Sequence, residues 1–284
     1  MSIPQDRPHP LSHFWSPEPT ARIEPTDFIE HVLAYRGVGR ADVGLRQTVL
    51  LAFIPELERR VLRAVGAPAP SPHPIQRQSL YNPVGYPFSV LASPMGASMA
   101  AMFLEQLIAL GARHFLYLGF CGALDTTYHI GDCLIPLYAI REEGTSYHYL
   151  PAEVVPTATP YLTAALQAEA QTQQVTLRQG PVWTTDAPYR ETAQKIRHFQ
   201  AVGVHAVDME MAALFAVAAY RGCAVTALLI VSDECYHPIW KPGFGAERLR
   251  QGCRQAVAVA VAAATQMATV VRDGGITPQD SIEG

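Results

Sequence analysis

The chain has 284 residues, of which 49% are hydrophobic, and 21 Lys+Arg stand against 25 Asp+Glu for a formal net charge of -4. That supplies enough apolar material for a sizeable core, and the lack of a basic excess argues against a nucleic-acid partner. The five cysteines, Cys121, Cys133, Cys223, Cys235 and Cys253, have no C-x-x-C spacing and are odd in number. They point to a reducing, cytoplasmic setting and away from structural zinc or a disulfide framework.

The N-terminal stretch MSIPQDRPHPLSHFW lacks the apolar run of a signal peptide. Residues 1–25 are rich in Pro and polar side chains and read as a flexible arm, either disordered or docked on a neighbouring subunit. Regular structure is expected to begin with the buried-strand pattern TVLLAFI from Thr48 to Ile54, followed by the helical PELERRVLRAVGA with its stop at Gly66. After a Pro-rich loop, FSVLAS (Phe88 to Ser93) predicts a strand, Gly96 opens a turn, and ASMAAMFLEQLIALGA predicts a buried helix ending at Gly111.

HFLYLGF and CLIPLYAI (Cys133 to Ile140) predict two further strands, and TPYLTAALQAEAQTQ a helix. VTLRQGPVWTT reads as extended, RETAQKIRHFQ as helical, and VHAVDMEMAALFAVAAYRG as a strand passing into a helix that stops at Gly222. AVTALLIVSDE is a strand, and a last helix runs from about Ala246 to Val271. Its apolar stretch, Gln255 to Val271, is Ala-rich, contains Gln and Thr, and is short for a bilayer span, so no membrane partner is expected.

Alternating strands and helices predict an α/β protein whose central mixed sheet is covered by helices on both faces. No interior linker divides the chain, so residues 26–272 form one domain and 273–284 a polar tail. Ligands of such folds collect at the carboxyl ends of strands, here near Ser93, Gly119, Thr185, Val207 and Ser232.

Chemistry-bearing residues stand at those ends. In VDMEM, Asp208 and Glu210 lie where a strand gives way to a helix that is apolar on nearly every face. Acids there can simply complement the helix dipole. A buried carboxylate also needs partners, and, being acceptor-only, it suits paired hydroxyl donors. Asp233 directly follows a buried strand, a position that fits a solvated loop acid and a general acid equally well. TTDAPYRET places Thr185, Asp186 and Tyr189 in one strand-to-helix connection, which is also ordinary turn chemistry. Gly96 and Gly122 allow close backbone approach, although turn geometry explains lone glycines too.

Four stretches, in order and at matching spacing over roughly Thr48 to Val271, resemble the nucleoside phosphorylase family. MGASMAAMFLEQLIALGARHFLYLGFCGAL is similar to its glycine turn, buried helix and G-[ST]-x-G turn. REEGTSYHYLP resembles the D-G-x-S-x-H-F-x-P segment of the uridine phosphorylase branch. TTDAPYRET falls where the family has S-x-D-x-F-Y, and VDMEMAALFAVAAYRGCAVTALLIVSDE resembles the V-E-M-E helix and the S-D strand end.

The resemblance implies a three-layer α/β/α fold, a homo-oligomer (dimer or trimer of dimers), no cofactor or metal, and cleavage of a nucleoside N-glycosidic bond. It assigns Glu210 to the ribose hydroxyls and Asp233 to the leaving base, both as catalytic groups. Met209 would pack beside the sugar and Tyr189 would line the base and sugar pocket. Asp208, Asp186, Thr185, Gly96, Phe120, Cys121 and Gly122 complete the implied ligand-contacting set.

The chain also departs from the family pattern. Where the family has the phosphate-cupping G-D-P-x-R, this chain has Phe53-Ile54-Pro55-Glu56-Leu57, and Tyr117-Leu118-Gly119-Phe120 replaces R-[IV]-G-[ST]. Phosphate binding relies on charge-assisted donors, so the losses favour water or another acceptor over phosphate unless Arg46, Arg59, Arg60 or Arg77 substitutes. Pro188 replaces the base-stacking Phe, and Phe120 is expected to set a ring where phosphate would lie. The pyrimidine-type GTSYHYLP and the purine-type Ser232-Asp233 leave the base open. The alternative is a family member turned to other chemistry on, or only binding, a nucleoside-like ligand.

Overall fold

A computed structural model describes residues 12–67, 71–72 and 79–272. Regular structure starts earlier than the hydrophobic pattern suggests. Helix α1 (Pro25–Arg36) opens on a proline and closes at Gly37, whose φ of 65° is left-handed. Only Ile29 and Leu33 of α1 are buried. That single i, i+4 pair is too sparse a stripe to stand out in the sequence. From Ser12 the arm packs on its own chain: Phe14 stacks on His148 with ring centroids 5.0 Å apart, and Glu24 pairs with Arg221 at 3.5 Å.

The chain continues through β1 (Thr48–Phe53), α2 (Ile54–Ala64), the short β2 (Ser71–Pro72) and β3 (Ser79–Leu80), β4 (Ser89–Ser93), α3 (Ala97–Ala109), β5 (His114–Ala123) and β6 (Cys133–Glu142). It then runs through α4 (Pro160–Thr172), β7 (Leu177–Thr185), α5 (Ala193–Ala201), β8 (Ala206–Asp208), α6 (Met211–Arg221), β9 (Ala224–Glu234), β10 (Lys241–Pro242) and α7 (Glu247–Arg272).

The main sheet has the order β10-β9-β6-β7-β8-β5-β1-β4, with an additional pairing of β9 to β5. That pairing closes β5, β9, β6, β7 and β8 into a ring, from which β1 and β4 extend as an open wing. The sheet is mixed: β5 runs parallel to β1 and β9 and antiparallel to β8, while β6 opposes β9. A register shift between Cys121 and Gly122 lets the end of β5 face Val207 of β8 on one side and Asp233 of β9 on the other. A bulge of this kind re-aims a strand beside a site.

Helices cover both faces. Side chains of α1, α3 and α6 meet one face in a core with Phe115, Tyr117 and Cys121. Those of α2, α4 and α7 meet the other with Leu116 and Leu118. The alternation along β5 follows the period of two of a strand. A smaller cluster of Trp183, Phe199, Val204 and Val207 seats α5. Among the described residues no helix is long and apolar enough to cross a membrane.

Candidate active site

Residues at or just after the ends of β4, β7 and β8, with Tyr117 from within β5, meet around Glu210 and its neighbour Asp208. Helix α6 is buried along its whole face, so its first amides need partners from the protein. Asp208 supplies them: its Oδ2 accepts from the amides of Glu210 and Met211, both at 2.7 Å. Its Oδ1 accepts from the Thr184 hydroxyl at 2.7 Å, and Thr184 Oγ1 in turn accepts from the Ala212 amide at 3.0 Å. Asp208, expected to contact ligand, is thus engaged at both oxygens in capping the helix, because a buried helix terminus must satisfy its own donors.

Glu210 is 3% exposed. Its Oε1 accepts from the Gly96 amide at 2.7 Å and its Oε2 from the Tyr117 hydroxyl at 3.2 Å. A carboxylate has about four lone-pair sites, so each oxygen retains capacity for a further donor. Burial, and then the Asp208 charge, push the Glu210 carboxyl above its ordinary range; the bonds from Gly96, Tyr117 and the Met209 amide act the other way. Burial likewise raises Asp208 against the lowering bonds from Thr184 and the two amides. Met209 is half-buried beside Glu210.

At the end of β9, Asp233 is surrounded by donors. Its Oδ1 accepts from Ser232 Oγ at 2.6 Å, and its Oδ2 from Trp240 Nε1 at 2.8 Å and Cys235 Sγ at 3.2 Å. The Cys235 thiol also lies 3.9 Å from Glu191 Oε2. Glu191 is pushed up to about 7 by burial and then by the Asp233 charge. Gly122 makes this crowding feasible: a Cβ there would lie 2.6 Å from Cys235 Sγ and 3.2 Å from Asp233 Oδ2. Cys121 packs in the same turn, its carbonyl 3.3 Å from Ser232 Oγ, and burial holds its thiol well above the usual range.

The remaining expected residues sit differently. Thr185 is buried, its hydroxyl accepting from the Ala187 amide at 3.2 Å. Asp186 is exposed and accepts from the Gly144 amide at 3.3 Å. Tyr189 is fully exposed. Phe120 requires a correction. Strand alternation turns it to the face of α2, α4 and α7, where it packs half-buried, while Tyr117 takes the face that carries Glu210. Leu57 is buried in that same opposite core. Ile54, at the β1–α2 junction, has a φ of 55°, a strained conformation for a β-branched residue.

Three of the arginines weighed as phosphate ligands are engaged elsewhere, and Arg77 lies outside the described residues. Arg46 donates to the carbonyls of Pro83, Tyr86 and Phe88, while Arg59 and Arg60 each pair with Glu56 at 2.8 Å. No group of three or more His, Cys, Asp or Glu among the described residues could hold a metal ion. Sequence reasoning missed Glu191, Cys235 and Trp240. Glu191 stands within the TTDAPYRET stretch, but only the folding of that turn against β9 brings it to Asp233.

Known proteins resemble the chain in sequence and in fold. The chain is similar to a guanosine phosphorylase of Halorubrum lacusprofundi, 29% identical over 150 residues, a match that spans 53% of this chain and 62% of that protein. It is 28% identical to a uridine phosphorylase of Escherichia coli over 200 residues, 64% of this chain and 77% of that one. Its fold is similar to that of a Toxoplasma gondii purine nucleoside phosphorylase solved with immucillin-H, with a TM-score of 0.73 and 20% identity over 82% of this chain and 94% of that one. The family model of the phosphorylase superfamily matches residues 61–272, from α2 through the strand ends around Glu210 and Asp233 to α7. The chain therefore belongs to the phosphorylase superfamily.

Proposed function

We propose that the protein cleaves the N-glycosidic bond of a ribonucleoside, with Glu210 holding the ribose hydroxyls and Asp233 hydrogen-bonding the departing base. The observation that carries this reading is the state of Glu210: a buried carboxylate with a fixed protein donor on each oxygen and acceptor capacity left over. A vicinal diol presents a pair of donors. As the bond from C1′ to the base nitrogen breaks, positive charge develops on the sugar and the base nitrogen takes up a proton. Glu191, raised to about 7, supplies an acid at the base end near neutral pH. The relatives named as guanosine and uridine phosphorylases support both purine and pyrimidine ribosides as candidates.

Water is the acceptor this reading favours over phosphate. The engaged arginines and the neutral Tyr117 leave an oxyanion few charge-assisted donors, and an anion without donors is costly to bury. The experiment is a panel of guanosine, inosine, adenosine, uridine and cytidine, with and without inorganic phosphate, reading base release. Free ribose in phosphate-free buffer supports hydrolysis; ribose 1-phosphate formed only with phosphate overturns the choice of water. No base release from any riboside sinks the cleavage reading itself.

The same reading has the protein as a cytoplasmic homo-oligomer. The exposed Met95, Met99 and Met102, on and beside α3, offer a second copy an apolar face, and the five free cysteines suit a reducing compartment. Light scattering on the purified chain checks the oligomer.

A further inference from the structure

Tyr117 stands at the position where the family motif carries an arginine, and it does more than fill space. It is 1% exposed, and its ring folds across Gly119 so closely that a Cβ there would lie 2.3 Å from Tyr117 Cε1. The Phe53 ring flanks it, with centroids 6.3 Å apart. So confined, the hydroxyl donates to Glu210 Oε2 at 3.2 Å. Burial, and then the Glu210 charge, hold the phenol well above its ordinary range, so it stays an uncharged donor.

We infer that Tyr117 is a positioning residue for Glu210: with the Gly96 amide on the other oxygen, its hydroxyl fixes the carboxylate's rotation and leaves one acceptor site on each oxygen for a vicinal diol. The inference rests on the reading of Glu210 as the ribose-binding group. Without Tyr117, Oε2 loses its side-chain donor, and backbone amides alone hold the carboxylate.

The bond has a second effect. A donor to the charged form of a buried acid favours that form, and Tyr117 acts here with the Gly96 and Met209 amides against burial and the neighbouring Asp208. Burial and the Asp208 charge raise it, and Glu143 in turn raises Asp208. Tyr117 therefore helps keep the carboxylate ionised, as the diol requires, and does so without a positive charge that would recruit an oxyanion.

The test reads Glu210 directly in the ligand-free protein. Carboxyl resonances of 13C-glutamate-labelled protein are followed against pH, with Glu210→Gln identifying the signal. In Tyr117→Phe the Glu210 midpoint should rise by about one pH unit, the scale of one hydrogen bond to a charged group; an unchanged midpoint overturns the proposal. A second measurement needs no variant to fold: in 13C-tyrosine-labelled wild type, a buried tyrosine Cζ signal should shift with the same midpoint as Glu210. Its failure to move also overturns the proposal.

Kinetics then separate the diol from the fold. Tyr117→Phe should raise KM for guanosine several-fold more than for 2′-deoxyguanosine, and an equal effect on both overturns the positioning role. Wild-type protein that neither binds nor cleaves any riboside counts against the ribose reading of Glu210, whereas a flat titration counts against Tyr117, so the two failures are distinguishable.

Discussion

The amide of Gly96 donates to Glu210 Oε1 at 2.7 Å across 114 positions of sequence. Gly96 reaches this position with a φ of 88° and a ψ of 149°, a backbone conformation that side-chain-bearing residues rarely adopt. A Cβ on Gly96 would meet nothing within 4 Å, so Gly96→Ala is penalised by backbone strain rather than collision. We expect a loss of about 1–3 kcal/mol in stability, seen in thermal melts, together with a raised KM for ribosides as the amide rotates off Glu210. A variant with unchanged melting and unchanged KM would separate this amide from the site.

Glu210→Ala removes the proposed diol acceptor. Hydrogen bonds to charged groups are each worth about 1.5–3 kcal/mol, so riboside affinity should fall by about 2 kcal/mol or more in calorimetric titration. Because Glu210 is raised above the ordinary glutamate range, the acidic limb of kcat/KM should lie above that of an exposed carboxylate: as pH falls, the acid protonates and loses acceptor capacity. Wild-type affinity in the alanine variant would remove Glu210 from the site.

Asp233→Asn keeps the shape and most of the bonding but discards the charge and the acid–base capacity at the base end. Turnover should fall about 100-fold, with KM changing less. Trp240→Phe keeps an exposed aromatic, though a smaller one, and deletes the indole donor to Asp233 Oδ2, so it should cost far less turnover than Asp233→Asn. Equal losses in the two variants would assign the effect to the loop rather than to the carboxylate.

Two acids give stability opposite dependences on pH. Glu191 is raised to about 7 in the folded protein, so the folded state binds more protons than the unfolded state between about 4.5 and 7, and stability falls as pH rises through that window. Glu191→Gln should remove this slope, gaining on wild type in melting temperature from pH 4.5 towards 7. Glu234 behaves conversely. Burial pushes it up, but its bonds from Lys241 at 2.6 Å, His237 at 2.9 Å and the Ile130 amide at 3.2 Å outweigh this and depress it to about 2, so its contribution is present above about 4.5 and lost as pH falls towards 2. Glu234→Gln should lose stability at neutral pH and speed hydrogen exchange in residues 236–241, the segment that carries Trp240.

How much of this was legible before folding depends on the range of the interaction. The strand–helix alternation, the two-sided sheet and the buried helix after VDMEM follow from local periodicity and Gly stops, and the structure has them at nearly the expected boundaries. The acids Asp208, Glu210 and Asp233 were visible because strand ends and helix starts can be read from the pattern. Helix α1 was missed because two buried residues make too faint a stripe.

The order of elements and the residue types at the strand ends can be read from local pattern, since they depend on residues within a few turns of one another. How those residues share the work depends on contacts between elements distant in the chain. Tertiary structure made Asp208 a helix cap, because α6 is buried and its amides needed an acceptor. It turned Phe120 away and Tyr117 towards Glu210, because the register of β5 sets which face each residue takes. It also brought Glu191 to Cys235 and Asp233, because the ring of strands closes only when β5 pairs with β8 and β9 together, a contact no local pattern encodes.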